Sequence, residues 1–152
     1  MARKKMYMQT TTVPASKTFG EVTQLLADAG ASRMVQEYKN GRIVGMKFAL
    51  LREGQEIPFI LPLRTEPILR ELQKSRPPGN REKFLRQDED AAIRIAWRQI
   101  YRWLEAQFAL INLGMSEAAE VFLPYVQIQP NRTMFDEFRD SGLKMLPERT
   151  GD

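Results

Sequence analysis

The sequence predicts an α+β protein: a small antiparallel sheet in β-α-β-β-β-α order, then a helical C-terminal half with one long helix. Three observations predict it. Asn40-Gly41 sits between two runs of β-formers, the pattern of a two-residue hairpin turn. Apolar residues recur at helical spacing before and after that hairpin. Ile93, Ala96, Ile100, Leu104, Phe108 and Ile111 then form a stripe at three- and four-residue spacing.

In chain order, Met1 to Lys5 reads as a mobile basic tail. Tyr7 to Val13, rich in threonine, reads as a first strand that Pro14 ends. Ser16 is a candidate N-cap for a helix carrying Phe19, Val22, Leu25, Leu26 and Ala29, with Gly30 as its C′ residue. The hairpin arms are expected near 33–39 and 42–51. Arg52-Glu53-Gly54-Gln55 turns the chain into a strand near 56–62, where Pro58 suits an edge. Thr65 can cap a helix with Glu66 and Pro67 in its first turn and Ile68, Leu69 and Leu72 on its apolar side.

Arg76-Pro77-Pro78-Gly79-Asn80 breaks that helix. The long helix is expected over about 88–113, opened by Asp88-Glu89-Asp90 at its positive dipole end and closed by Gly114. Ser116 begins another helix that stops near Pro124. Thr133 to Asp136 has capping-box spacing before a last short helix that Gly142 closes, and the tail after Pro147 is expected to fray. On this division, 1–76 is the sheet domain and 77–87 a basic Pro/Gly linker. Residues 88–146 are a helical region packed on the sheet or on a second copy.

Composition narrows function by exclusion. The 152 residues contain no cysteine and no histidine. Thiol nucleophiles, Ser–His and Cys–His machinery and the common transition-metal sites therefore have no residues to build them. No glycine-rich phosphate loop or nucleophile elbow occurs. The expectation is a non-enzyme without cofactors. No apolar run approaches the ~20 residues of a membrane-spanning helix, so a cytoplasmic location without membrane contact is expected. Net charge is +4, which favours polyanionic partners.

Two basic clusters are candidates for nucleic-acid binding. Arg94, Arg98 and Arg102 share one face of the long helix at i, i+4, i+8, with Trp97, Tyr101 and Trp103 among them. Such a row is either a solvated face or a polyanion contact, and the aromatics either stack bases or extend the apolar face. Lys74, Arg76, Arg81, Lys83 and Arg86, with Arg70, span the Pro-Pro-Gly segment and suit a phosphate backbone or serve as a solvated connector. Asp88, Glu89 and Asp90 are either magnesium ligands or helix-terminal charges.

The α-β-β-β-α order from Ser16 to Ser75 resembles the double-stranded-RNA-binding domain in topology. That family's second helix begins with a lysine cluster and its loop carries a histidine. Here Thr65-Glu66-Pro67 starts the helix and histidine is absent, so no site residue is carried over. A second resemblance covers most of the chain. Thr12-Val13-Pro14-Ala15-Ser16-Lys17-Thr18, Ala96-Trp97-Arg98-Gln99-Ile100, Gly114-Met115-Ser116-Glu117 and Val121-Phe122-Leu123-Pro124-Tyr125 look like a family of small bacteriophage and prophage proteins. It implies a viral or mobile-element origin, and neither an activity nor a catalytic residue.

The functional expectation is a non-catalytic phage-type nucleic-acid-binding accessory protein. The alternative is a module that binds a host or phage protein through the C-terminal aromatics Trp103, Phe108, Phe122 and Tyr125. The length of the stripe further suggests a homodimer that buries what one sheet cannot cover.

Overall fold

Residues 4–142, 144 and 146–148 are described by a computed structural model. The basic tail before Lys4 and the residues after Glu148 lie outside that range. The order is α1 (Ala15–Asp28), β1 (Ala31–Lys39), β2 (Arg42–Arg52), β3 (Gln55–Ile60), α2 (Glu66–Lys74), α3 (Leu85–Asn112) and α4 (Ala118–Phe122). A small hairpin of β4 (Gln127–Gln129) and β5 (Arg132–Thr133) follows, then α5 (Met134–Asp140). The fold is α+β, with the long helix in the C-terminal half.

Local chemistry explains most boundaries. Asn40 and Gly41 take φ of 51° and 73°, as a type I′ turn requires, and join β1 to β2 antiparallel. Glu53 and Gly54 repeat the device between β2 and β3. Gly30 closes α1 at φ 87°, donating to the Ala27 carbonyl. Thr133 Oγ1 accepts from Asp136 N–H at 3.2 Å while the Asp136 carboxylate accepts from Thr133 N–H at 2.9 Å, the reciprocal cap expected for α5.

The segment Tyr7–Val13 is not a strand. Tyr7 to Thr10 forms a turn in which Gln9 and Thr11 N–H groups donate to the Met6 and Met8 carbonyls. The Tyr7 carbonyl accepts from Gln99 of α3 at 2.8 Å. Strand propensity acts only where a sheet edge accepts the segment. Tyr7 is instead held at α3 by that bond, and Met6 packs against the core. The first element is therefore α1, and the sheet order is β1-β2-β3. The long helix also starts earlier than 88, at Leu85, and the β4–β5 hairpin is an element that the sequence did not announce.

One core joins both halves. Val22 and Leu26 of α1, Met46, Phe48 and Leu50 of β2 and Phe59 of β3 pack with the α3 stripe. Ile93, Ala96, Ile100, Leu104 and Phe108 are each at most 9% exposed. Most of the stripe is thus covered within a single chain, and Ile111 at its end is partly buried. Trp97 is fully buried, and its indole N–H donates to the Ile43 carbonyl at 2.9 Å, tying α3 to β2. Phe122 anchors short α4 by inserting among Phe48, Phe59, Trp103 and Phe108, with ring centroids 5.6–5.8 Å away. No described helix is long and apolar enough to cross a membrane.

Candidate nucleic-acid interface

The chain at the end of α2 forms a tight corner, not a free connector. Pro77, whose ring fixes φ near its observed −55°, leads into a 3-10 turn over Pro78–Asn80, and α3 begins five residues later. Arg76 and Asp88 close this corner. Arg76 Nε donates to Asp88 Oδ2 at 2.8 Å and Nη2 to Oδ1 at 2.7 Å, while Gln73 Nε2 donates to Oδ2 at 2.7 Å. The Asp88 side chain is 3% exposed. The Arg76 guanidinium also lies 4.0 Å from the centroid of the Phe84 ring. Arg76 hydrogen bonding holds the Asp88 carboxyl below the usual aspartate range, against a smaller opposing effect of burial.

The acidic triplet is shared out among arginines. Asp88 faces Arg76; Glu89 and Asp90 accept from Arg42 at 3.2 and 2.7 Å. Among the described residues no cluster of three metal-ligating side chains occurs.

The arginine row on α3 is partly absorbed by the fold. Arg98 is the most enclosed, its side chain 13% exposed and its Nη1 3.2 Å from Glu21 of α1. Its guanidinium lies 4.7 Å from the Tyr101 ring centroid. Arg102 pairs with Glu105 at 3.0 Å, one helical turn on. The Tyr101 hydroxyl donates to the same carboxylate, which is held below its usual range by Arg102 first and Tyr101 second. Arg94 is half-buried and has no ion pair among the described residues. Trp97 is core, while Trp103 packs edge-on against Phe122 and Tyr125. Phe108 and Phe122 are buried, so the aromatic C-terminal surface expected for a protein partner is largely internal.

The second cluster keeps more of its charge free. Residues 64–86 hold seven cations against three carboxylates, a net +4, whereas the rest of the chain holds sixteen of each. The whole net charge of the protein therefore resides in α2 and the corner. Of these cations, Arg76 is neutralised by Asp88, and Lys74 makes an exposed pair with Glu71 at 2.9 Å. Arg64, Arg70, Arg81, Lys83 and Arg86 are exposed. None of the five makes a salt bridge to a described carboxylate. Arg81 Nε donates to the Gln73 carbonyl at the C-terminal end of α2, where a cation is favoured, and the residue remains exposed. Lys83 Nζ sits 5.7 Å from the Phe84 centroid. Lys4 and Lys5 border a small cleft with Gln9, Glu71 and Ser75, so the described part of the basic tail lies along α2.

Arg64 had no place in either sequence cluster. The signal that finds it is net charge over a window spanning α2, not helical spacing. No family model matches the chain, and comparisons with curated proteins and with solved structures give no match either.

Proposed function

We propose that this chain is a non-catalytic, phage-type accessory protein of DNA or RNA metabolism that acts in the cytoplasm and binds the nucleic-acid backbone through its basic corner. The single observation that carries the reading is the placement of the entire net charge in residues 64–86, with five exposed cations lacking a described carboxylate partner. Unpaired, solvated arginines and lysines bind phosphates by releasing condensed counterions, which requires no base contact. Arg70, Arg81, Lys83 and Arg86 are the principal contacts, supported by Arg64 and Lys74. Arg76 sets the geometry of the corner and does not face the backbone. Arg94 and Arg102 are secondary, and Arg98 belongs to the interface between α1 and α3.

Fluorescence anisotropy with labelled single- and double-stranded DNA and RNA at low salt tests this. The wild type binds at micromolar concentration with little sequence preference. The triple variant Arg70→Ala, Lys83→Ala, Arg86→Ala loses most of that affinity. No binding to any of the four ligands at micromolar protein sinks the proposal.

A second reading, a module for a host or phage protein, has its own support at the far end of α3. Leu113 and Met115 are 77% and 69% exposed, and Leu110 is 36% exposed. A nuclease-treated lysate pull-down in which substitution of Leu113 and Met115 by serine removes a stoichiometric partner favours this second reading.

A further inference from the structure

Strand β1 has an unused edge. It is the outer strand of the sheet, nine residues long, and eight of its residues are paired to β2. Among the described residues nothing pairs with its other side. The far edge of the sheet is treated differently, because Phe59 of β3 bridges to Val126. An open edge is a template for another strand, and proteins usually blunt it. Here the irregularities lie at the ends: register shifts fall between Ala31 and Arg33 and between Glu37 and Tyr38, leaving 33–37 regular.

That regular stretch is antisymmetric in charge about Val35, positive at Arg33 and negative at Glu37. Arg33, Val35 and Glu37 are paired with Ala49, Lys47 and Gly45. By alternation all three point to the sheet face opposite Met46 and Phe48, away from the core. Val35 is 48% exposed. A two-fold axis through Val35 in an antiparallel pair sets Val35 against its own copy. Arg33 then opposes the second copy's Glu37, and Glu37 opposes its Arg33. Within one chain Arg33 already reaches Glu56 at 3.3 Å and Glu37 reaches Lys47 at 3.3 Å. Pairing extends these into alternating rows: Glu56, Arg33, then the second copy's Glu37 and Lys47. Opposite charges directly across a strand pair are favourable, and like charges are not.

We propose that β1 is a self-association edge, pairing antiparallel with β1 of a second copy in the register centred on Val35, so that two sheets become one of six strands. The occupant is a second copy because the stretch supplies its own complementary charges under that two-fold. A foreign strand has no need of the antisymmetry about Val35. None of Arg33, Val35 and Glu37 is among the cations assigned to the nucleic-acid backbone, and the test does not depend on nucleic acid. An edge contact is small beside a standard interface of ~1,600 Å², so the dimer is concentration-dependent.

Light scattering over a concentration series gives a mass rising from 17.6 kDa toward twice that value. Arg33→Glu or Glu37→Arg alone holds the protein at the lower mass, and the two together restore the rise. Both sites are solvent-facing, so circular dichroism checks that each variant is folded. Register is read by cross-linking, since the chain has no native cysteine. Val35→Cys oxidises to a covalent dimer, because directly opposed Cα atoms lie about 4.5–5.5 Å apart. Arg33→Cys does not, because the two copies of that position lie roughly 14 Å apart. A constant 17.6 kDa up to about 1 mM overturns the proposal. So does a double charge reversal that behaves like the single ones, or equal cross-linking at positions 33 and 35.

Discussion

Arg76 and Asp88 meet through two parallel hydrogen bonds of 2.8 and 2.7 Å, twelve residues apart in sequence, and this pair turns a Pro-Pro-Gly segment into a fixed corner. Without it α2 and the start of α3 have no ionic tie. With it, Arg81, Lys83 and Arg86 leave the corner in a set geometry. A planar guanidinium facing a carboxylate is the geometry that lysine cannot reproduce.

Asp88→Asn lowers stability at neutral pH by about 2 kcal/mol, the usual contribution of hydrogen bonds to a charged group. The pH dependence has a definite sign. The folded-state pKa of Asp88 lies below its unfolded value, so its contribution is complete above pH ~4 and is lost as pH falls through the folded value. Urea titrations at pH 7 and pH 3 therefore show a gap between wild type and variant that narrows in acid. Arg76→Lys is destabilising as well, because one ammonium cannot satisfy both oxygens.

Trp97→Phe costs about 1–3 kcal/mol. It keeps most of the buried ring but leaves the Ile43 carbonyl without its donor. Denaturant midpoints measured with an unchanged slope test this. Phe19 packs edge-on at 5.5 Å from the indole, so Phe19→Ala and the Trp97 substitution are non-additive.

Thr18 is fully buried in α1, and its hydroxyl has no hydrogen-bond partner in the structure. Thr18→Val keeps the shape and removes the unsatisfied group. It raises stability by about 1 kcal/mol, read as a higher melting temperature.

Stability and binding separate at two arginines. Arg98→Ala loses the Glu21 pair and the buried stem, and lowers stability by about 1 kcal/mol with little effect on nucleic-acid affinity. Arg86→Ala leaves stability within ~0.5 kcal/mol and weakens binding. Thermal melts and anisotropy on the same two preparations distinguish the roles.

Much of the fold was legible because it is encoded over a few residues. Asn40-Gly41 and the Thr133–Asp136 cap are local devices whose backbone requirements are written in the sequence. The α3 stripe was legible for the same reason, but what covers it was not. The sheet, α1 and Phe122 cover it within one chain, and spacing along one helix cannot distinguish them from a second copy. The β4–β5 hairpin escaped because strands of three and two residues are too short to show alternation, although Asn131 takes the positive φ of 58° that its turn needs. Tyr7–Val13 misled because threonine propensity says nothing of whether the segment runs beside a sheet edge, and here Tyr7 is held at α3 instead. At the candidate interface, charge was legible but pairing was not. Arg76 and Arg86 look alike in sequence, and only the folded corner turns one inward to Asp88 and leaves the other in solvent.

Backbone binding through the corner is read most sharply from the salt dependence of affinity for double-stranded DNA. The six exposed cations of the corner, offset by Glu66, Glu71 and Glu82, correspond to about three neutralised phosphates. The plot of log affinity against log salt then has a slope of about −3, and affinity falls about 40-fold between ~50 and ~200 mM salt. The Arg70→Ala, Lys83→Ala, Arg86→Ala variant flattens that slope toward zero, whereas Arg98→Ala leaves it unchanged. A slope near zero for the wild type, or one that the triple substitution does not alter, contradicts backbone binding through the corner.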